Sequence, residues 1–193
     1  MSKLILITGG SASGKSTVAK AIKKEFGNDA LLVSQDNFYL PVGSPKTNYD
    51  TPKAFDMNLQ KQIIKDLLSG NDVQMPIYCF SKHARDGYET INSKGVIIFE
   101  GLFTFKDLEL MELATLKIFV DTPSDTRLGR RVMRDVNKRQ RKISDIINRW
   151  EKDVKPAYHK HISQAKTQAD IIVPWTAVNM KSLNALFNSI RHN

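Results

Sequence analysis

The densest chemistry in the chain lies between Gly9 and Thr17, read as Gly9-Gly-Ser-Ala-Ser-Gly-Lys-Ser-Thr17. This matches the pattern G-x-x-x-x-G-K-[ST] in full, and it stands after an apolar run and before residues at helical spacing. Glycines at Gly9, Gly10 and Gly14 let successive backbone N–H groups, those of Ser11, Ala12 and Ser13 included, turn inward around phosphate oxygens. The following helix, opening through Lys15, Ser16 and Thr17, adds the partial positive charge of its N terminus. Lys15 is expected to reach the β- and γ-phosphates of a nucleotide, and the Ser16 hydroxyl to take one position on Mg²⁺. A glycine-rich turn that merely precedes a helix reads similarly, but the complete pattern in this context favours a phosphate site.

Phosphoryl transfer also needs a carboxylate near the γ-phosphate and an acid that holds the metal. Asp36 follows Leu31-Leu-Val-Ser-Gln and Glu100 follows Val96-Ile-Ile-Phe, each at the end of a predicted strand, where open α/β sheets place their ligands. Asp121 ends a strand too, but it leads into a cationic helix and reads equally well as a structural acid. Transfer to water would make a nucleotide hydrolase and transfer to a hydroxyl a kinase. Three segments could hold a second substrate: the loop from Asn37 to Ala54, a hairpin bearing Tyr78, Phe80 and His83, and an arginine-rich helix.

That helix dominates the charge. The chain carries 29 basic and 20 acidic residues, a net +9, and Arg127 to Lys142 alone holds eight basic residues against one acidic. Cations so concentrated suit a small dense anion as well as a nucleic acid backbone. His159 and His161 lie two apart on a predicted helix, face different ways and make a poor metal pair. No CxxC pair or HExxH motif is present, and Cys79 is the only cysteine, which fits a reducing cytoplasm. The longest N-terminal apolar stretch, Leu4 to Ile7, is too short for a membrane span, so no membrane association is expected.

The elements that must position these residues follow from periodicity. Lys3–Thr8, Leu31–Asp36, Gly95–Glu100, Leu116–Asp121 and Ala169–Pro174 read as five buried strands. Helical spacing follows the first strand, runs over Leu59–Leu68, fills about a dozen residues between Glu100 and Leu116, and closes the chain over Leu183–Ile190. Two short runs of β-formers, Val73–Phe80 and Gly87–Ile91, flank the polar turn His83–Asp86. The basic helix is expected to be capped by Ser124 or Asp125, and Ile143–Lys166 to be helical with a break at Pro156. Composition is that of an ordinary globular protein, 41% apolar and 25% charged. The expected fold is α/β: one domain over residues 1–193 with a five-stranded parallel sheet, helices on both faces, a projecting hairpin at about 73–93 and a lid at about 124–153.

The chain resembles the uridine/cytidine kinase family of P-loop enzymes. The resemblance rests on the glycine loop and on Ser34-Gln-Asp-Asn-Phe-Tyr39, Thr47-Asn-Tyr-Asp-Thr-Pro-Lys-Ala-Phe-Asp56, Pro76-Ile-Tyr-Cys-Phe-Ser-Lys-His-Ala-Arg85, Phe99-Glu-Gly101, Phe119-Val-Asp-Thr122, Arg130-Arg-Val-Met-Arg-Asp135 and Ala169-Asp-Ile-Ile-Val-Pro174. It implies transfer of a γ-phosphate from ATP or GTP, with Mg²⁺, to the 5′-hydroxyl of uridine or cytidine. It implies Asp36 as catalytic acid/base, assisted by Lys15, Arg131 and Arg134, and metal binding by Ser16, Glu100 and Asp36. Asp50 is implied to hold the ribose hydroxyls, with Tyr39, Tyr49, Tyr78, Phe80, His83, Arg131, Arg141 and Arg149 around the nucleoside and Arg134 and Arg139 over the triphosphate. A homo-oligomer, commonly a tetramer, is implied as well.

The sequence departs from the family where Lys138-Arg-Gln-Arg141 replaces Glu-Arg-Gly-Arg, where Arg149-Trp150 replaces Gln-Tyr, where Trp175-Thr-Ala replaces Arg-Gly-Gly near the expected donor base, and at Cys79. These bear on base recognition and leave open a related kinase with nicotinamide riboside or pantothenate as acceptor. A non-catalytic RNA-binding protein using Arg127–Lys142 is the competing reading from another class. Charge localised beside a phosphate loop already has a use, which argues against nucleic acid as a partner.

Overall fold

A computed structural model describes residues 2–41 and 48–192. The central strand β1 (Lys3–Gly9) runs parallel to β5 (Val96–Glu100) on one side and to β6 (Leu116–Asp121) on the other. With β2 (Ala30–Ser34) and β7 (Ile171–Pro174) this makes a five-stranded parallel sheet in the order β2-β5-β1-β6-β7. The apolar runs are continuous because both faces are covered. Leu4 and Leu6 pack to one side with Val33, Phe38, Ile97, Phe99 and Phe119, while Ile5 and Ile7 pack to the other with Val18, Ile22, Ile98, Ile118 and Leu186.

Helix α1 (Lys15–Phe26) and the C-terminal α7 (Met180–His192) supply buried residues to the second face. Helix α2 (Met57–Leu68), capped by Asp56 Oδ1 accepting from the Leu59 N–H at 3.1 Å, serves the first. The hairpin is the separate two-stranded sheet β3 (Val73–Cys79) and β4 (Ala84–Ile91). A 2.8 Å ion pair between Arg85 and Asp56 ties it to the start of α2. Helix α4 (Ser124–Arg139) carries most of the basic segment, and α5 (Ile143–Arg149) follows it.

Several elements differ from the sequence expectations, each for a local reason. The second strand ends at Ser34, and Asp36 rides instead on a 3₁₀ turn, Gln35–Phe38, which takes in the start of the expected Asn37–Ala54 loop, while a second 3₁₀ turn, Pro52–Ala54, closes it. Thr47 of that loop lies outside the described residues. The hairpin turn falls before Ala84 rather than over His83–Asp86, because His83 takes a left-handed conformation (φ 51°) while Gly87 sits within β4. Between Glu100 and Leu116 the helix is split. A 3₁₀ turn, Thr104–Lys106, precedes the six-residue α3 (Leu108–Leu113), whose cap is Asp107 accepting from the Leu110 N–H. Helix α4 is preceded by Pro123 and has no side-chain cap, since Asp125 turns to its neighbour Thr126. Pro156 does not break the chain: wider π-type turns over Trp150–Val154 and Tyr158–Ile162 flank a single turn, α6 (Lys155–Ala157), where the missing N–H is tolerated. The last strand starts at Ile171, not Ala169.

Candidate active site

Parallel pairing brings the candidate chemistry to one edge of the sheet. Glu100 is in register with Ile7 of β1 and Ser34 of β2, so the glycine loop, Glu100 and the turn bearing Asp36 leave the sheet side by side. Gly14 adopts a left-handed conformation (φ 102°), and no side chain caps α1 at that end. Ala12 is also left-handed (φ 61°). The glycines are needed for room as well. A Cβ on Gly14 would collide with the Trp175 ring, and one on Gly10 with the Arg127 guanidinium.

Within this edge Lys15 is buried and its Nζ donates to the Gly10 carbonyl at 3.1 Å. Burial lowers its pKa, opposed by the charges of Glu100 and Asp36. Ser16 Oγ donates to Glu100 Oε1 at 2.9 Å and Ser34 Oγ to the same oxygen at 3.3 Å. The Asp36 N–H donates to Ser34 Oγ at 3.3 Å. Loss of water around the Asp36 carboxyl, reinforced by the charge of Glu100, raises its pKa to about 6 against the pull of Lys15, Arg139 and Arg134. The turn that carries Asp36 is pinned by a residue the sequence did not single out. Gln35, fully buried, donates to Gln60 Oε1 at 3.0 Å and accepts from the Phe103 N–H at 2.8 Å.

Facing this edge is a cluster of rings. Tyr39 stacks on Phe55 (centroids 4.1 Å) and meets Tyr49, Tyr78 and Phe80 at 5.3–5.9 Å. Tyr49 stacks against His83, with Oη 2.5 Å from His83 Nδ1. Asp50 lies beside them, 3.8 Å from Arg131 Nη1; burial raises its pKa and the Arg131 charge opposes the rise. Arg131 is itself buried and donates to Ser11 Oγ at 2.8 Å, so one guanidinium joins the glycine loop to Asp50.

The cleft enclosed by these groups has a volume of ≈ 410 Å³, within the usual range for small-molecule sites. Its walls hold eight cationic side chains against three carboxylates, Asp36, Asp50 and Glu100. Ser11, Ala12, Gly14, Lys15, Ser16, Thr17, Tyr39, Tyr49, Phe80, His83, Arg131, Arg134, Arg139, Arg141 and Arg149 all line it. Gly9, Gly10, Ser13 and Tyr78 stand behind the wall. Arg130 and Lys138 line the cleft too, although the sequence reading gave them no role. Arg130 donates to the Trp175 and Thr176 carbonyls at 2.9 and 2.7 Å. Asp135 was likewise passed over; it is fully buried under the arginines of α4. Burial pushes its carboxyl up, but the hydrogen bond and charge of Arg134, with Arg139 and Arg131, outweigh that and hold it below the usual range. Trp175 is buried against Gly14 and the core, so it braces the glycine loop.

Comparison with known proteins gives a consistent picture. The model of the phosphoribulokinase/uridine kinase family matches residues 4–182. A uridine kinase of Ligilactobacillus salivarius is 39% identical over 97% of this chain and 92% of its own length. Uridine-cytidine kinase B of Dictyostelium discoideum is 39% identical over 97% of this chain and 80% of its own. Among solved structures, phosphoribulokinase from Rhodobacter spheroides shares the fold at a TM-score of 0.63 and 18% identity, over 89% of this chain and 69% of that one.

Proposed function

The chain belongs to the phosphoribulokinase/uridine kinase family, and on that footing we propose that it transfers the γ-phosphate of a nucleoside triphosphate to the 5′-hydroxyl of uridine or cytidine, forming UMP or CMP. The observation that carries this reading is the placement of Asp36 between the Lys15–Ser16–Glu100 edge and the ring cluster with Asp50. A sugar held by Asp50 would present its terminal hydroxyl to Asp36. With a pKa near 6, Asp36 is ionised at neutral pH yet basic enough to accept that proton as the phosphorus is attacked. Asp50 can accept from both ribose hydroxyls, since a carboxylate has two acceptor oxygens. Phe80, His83, Tyr39 and Tyr49 would pack the base, with Tyr78 behind Tyr39 and Phe80, and Arg149, at the cleft wall, can donate to a pyrimidine carbonyl.

Arg134 and Arg139 line the cleft and, with Lys15 and Arg131, would neutralise charge on the transferring phosphoryl group. The Ser16 hydroxyl and the carboxylates of Glu100 and Asp36 form an all-oxygen set at the phosphate end, which fits Mg²⁺ held by one or two carboxylates together with substrate phosphates. Mg²⁺ held there would offset the negative charge of the phosphates. The donor is proposed to be ATP or GTP. Residues 1–193 are proposed to act as one kinase domain in the cytoplasm, in line with the lone free Cys79 and with no helix among the described residues long and apolar enough to cross a membrane. Ile77 and Tyr88, exposed on the hairpin, support assembly into a homo-oligomer; sedimentation of only the 21.9 kDa species would reject that part.

The test is a matrix of acceptors against donors with the purified protein, read by mass spectrometry of the products. UMP or CMP is expected with ATP, GTP or both. Absence of both products across the matrix, or turnover confined to nicotinamide riboside or pantothenate, would reject the assignment.

A further inference from the structure

Four arginines share one carboxylate beneath the cleft. Asp135 has 1% of its side chain exposed and does not line the cleft itself. Its Oδ1 accepts from Arg134 Nε at 2.8 Å and lies 3.4 Å from Arg139 Nη1. Its Oδ2 lies 3.7 Å from Arg131 Nε and 4.0 Å from Arg141 Nη1, without a hydrogen bond. The sequence builds this convergence. Arg131 and Arg139 stand four residues either side of Asp135 on α4, and the left-handed Gln140 turns the chain so that the Arg141 N–H donates to the Asp135 carbonyl at 3.1 Å. The far ends of these side chains reach Ser11 of the glycine loop, the Phe80 ring at 5.2 Å and the cleft wall.

We propose that Asp135 is a positioning residue that aims the guanidinium groups of Arg131, Arg134 and Arg139 at the transferring phosphoryl group, and holds that of Arg141 at the nucleoside side, while restraining their attraction for the donor. The proposal rests on the kinase reading above. One carboxylate cannot balance four cations, so an excess of positive charge is left facing the cleft. It can, however, fix their geometry before a phosphate arrives, and misplacement by even 1 Å is costly to a phosphoryl-transfer site. Because its own negative charge lowers the potential of the cleft, removing it should tighten anion binding. A purely structural carboxylate would instead lose binding and turnover together.

The experiment compares Asp135→Asn and Asp135→Glu with the unaltered protein. Calorimetry measures the binding of inorganic triphosphate, and steady-state kinetics with ATP and uridine gives kcat. For Asp135→Asn, triphosphate should bind about threefold tighter or better while kcat falls about tenfold or more. Asp135→Glu keeps the charge but moves it, so kcat should fall about tenfold with triphosphate affinity within about threefold of the original. Both variants turning over within about twofold of the original would overturn the proposal, as would a parallel fall of affinity and kcat that tracks the folded fraction. If Asp135→Asn alone does not fold, the Glu variant decides by the same criteria; if neither folds, the residue belongs to the scaffold and the proposal fails. Absence of turnover in the unaltered protein would reject the kinase reading, and the triphosphate titration of the Asn variant would still decide on Asp135.

Discussion

Asp36 and Glu100, to which the proposed reaction gives different tasks, have different surroundings. Glu100 accepts from two hydroxyls, those of Ser16 and Ser34. Asp36 loses water and faces the charge of Glu100, so its pKa climbs to about 6. Replacing Asp36 by Asn should lower turnover by about 10²–10⁴-fold, the usual worth of a positioned base, while donor binding measured by thermal shift persists. A rate within about tenfold of the original would remove Asp36 from that role. The sign of the pH dependence follows from the same group. The base works only when deprotonated, so kcat/KM should fall as pH drops through about 6. In Glu100→Gln the raising charge is gone, and the acid limb of the residual activity should move to lower pH. An acid limb that does not move would show that another group sets it.

At the scale of elements, the glycine loop was legible because its conformation is dictated locally, and the five strands because a doubly covered sheet demands unbroken apolar runs. The hairpin turn falls earlier than the polar run His83–Asp86 suggests, because Ala84–Asp86 already lie within β4 and the left-handed residue is His83, whose side chain announces nothing. The arginine convergence on Asp135 was hidden for another reason: it depends on side chains meeting beneath a helix and on the reversal at Gln140, neither of which is a motif. That reversal has a cost. Gln140 caps α4 in a left-handed conformation (φ 52°, ψ 34°) usually filled by glycine. Gln140→Gly should stabilise the fold by roughly 0.5–1 kcal/mol, seen as a rise in Tm of about 1–4 °C. No change in Tm would mean that the Gln140 side chain offsets its own backbone strain.

Across the whole molecule the net +9 is gathered where it can act. Eight cations face one cleft and three carboxylates answer them, a focused field that draws in a polyphosphate. Added potassium chloride should therefore depress kcat/KM for the donor steeply and kcat much less, because screening weakens capture more than groups already in contact. A flat dependence of kcat/KM on salt would contradict this use of the charge. The distribution also explains why charge alone was a poor guide to partners. The same total spread over one outer face would suit a polymer, whereas a concave, mixed-sign site suits a compact anion.

The brace formed by Trp175 against Gly14 has a temporal side. The chain is made in order, so Gly14 and the rest of the glycine loop emerge well before Trp175, the ring that lies against them. A nascent polypeptide therefore carries the glycine loop without its brace until the strand that leads to Trp175 has been made.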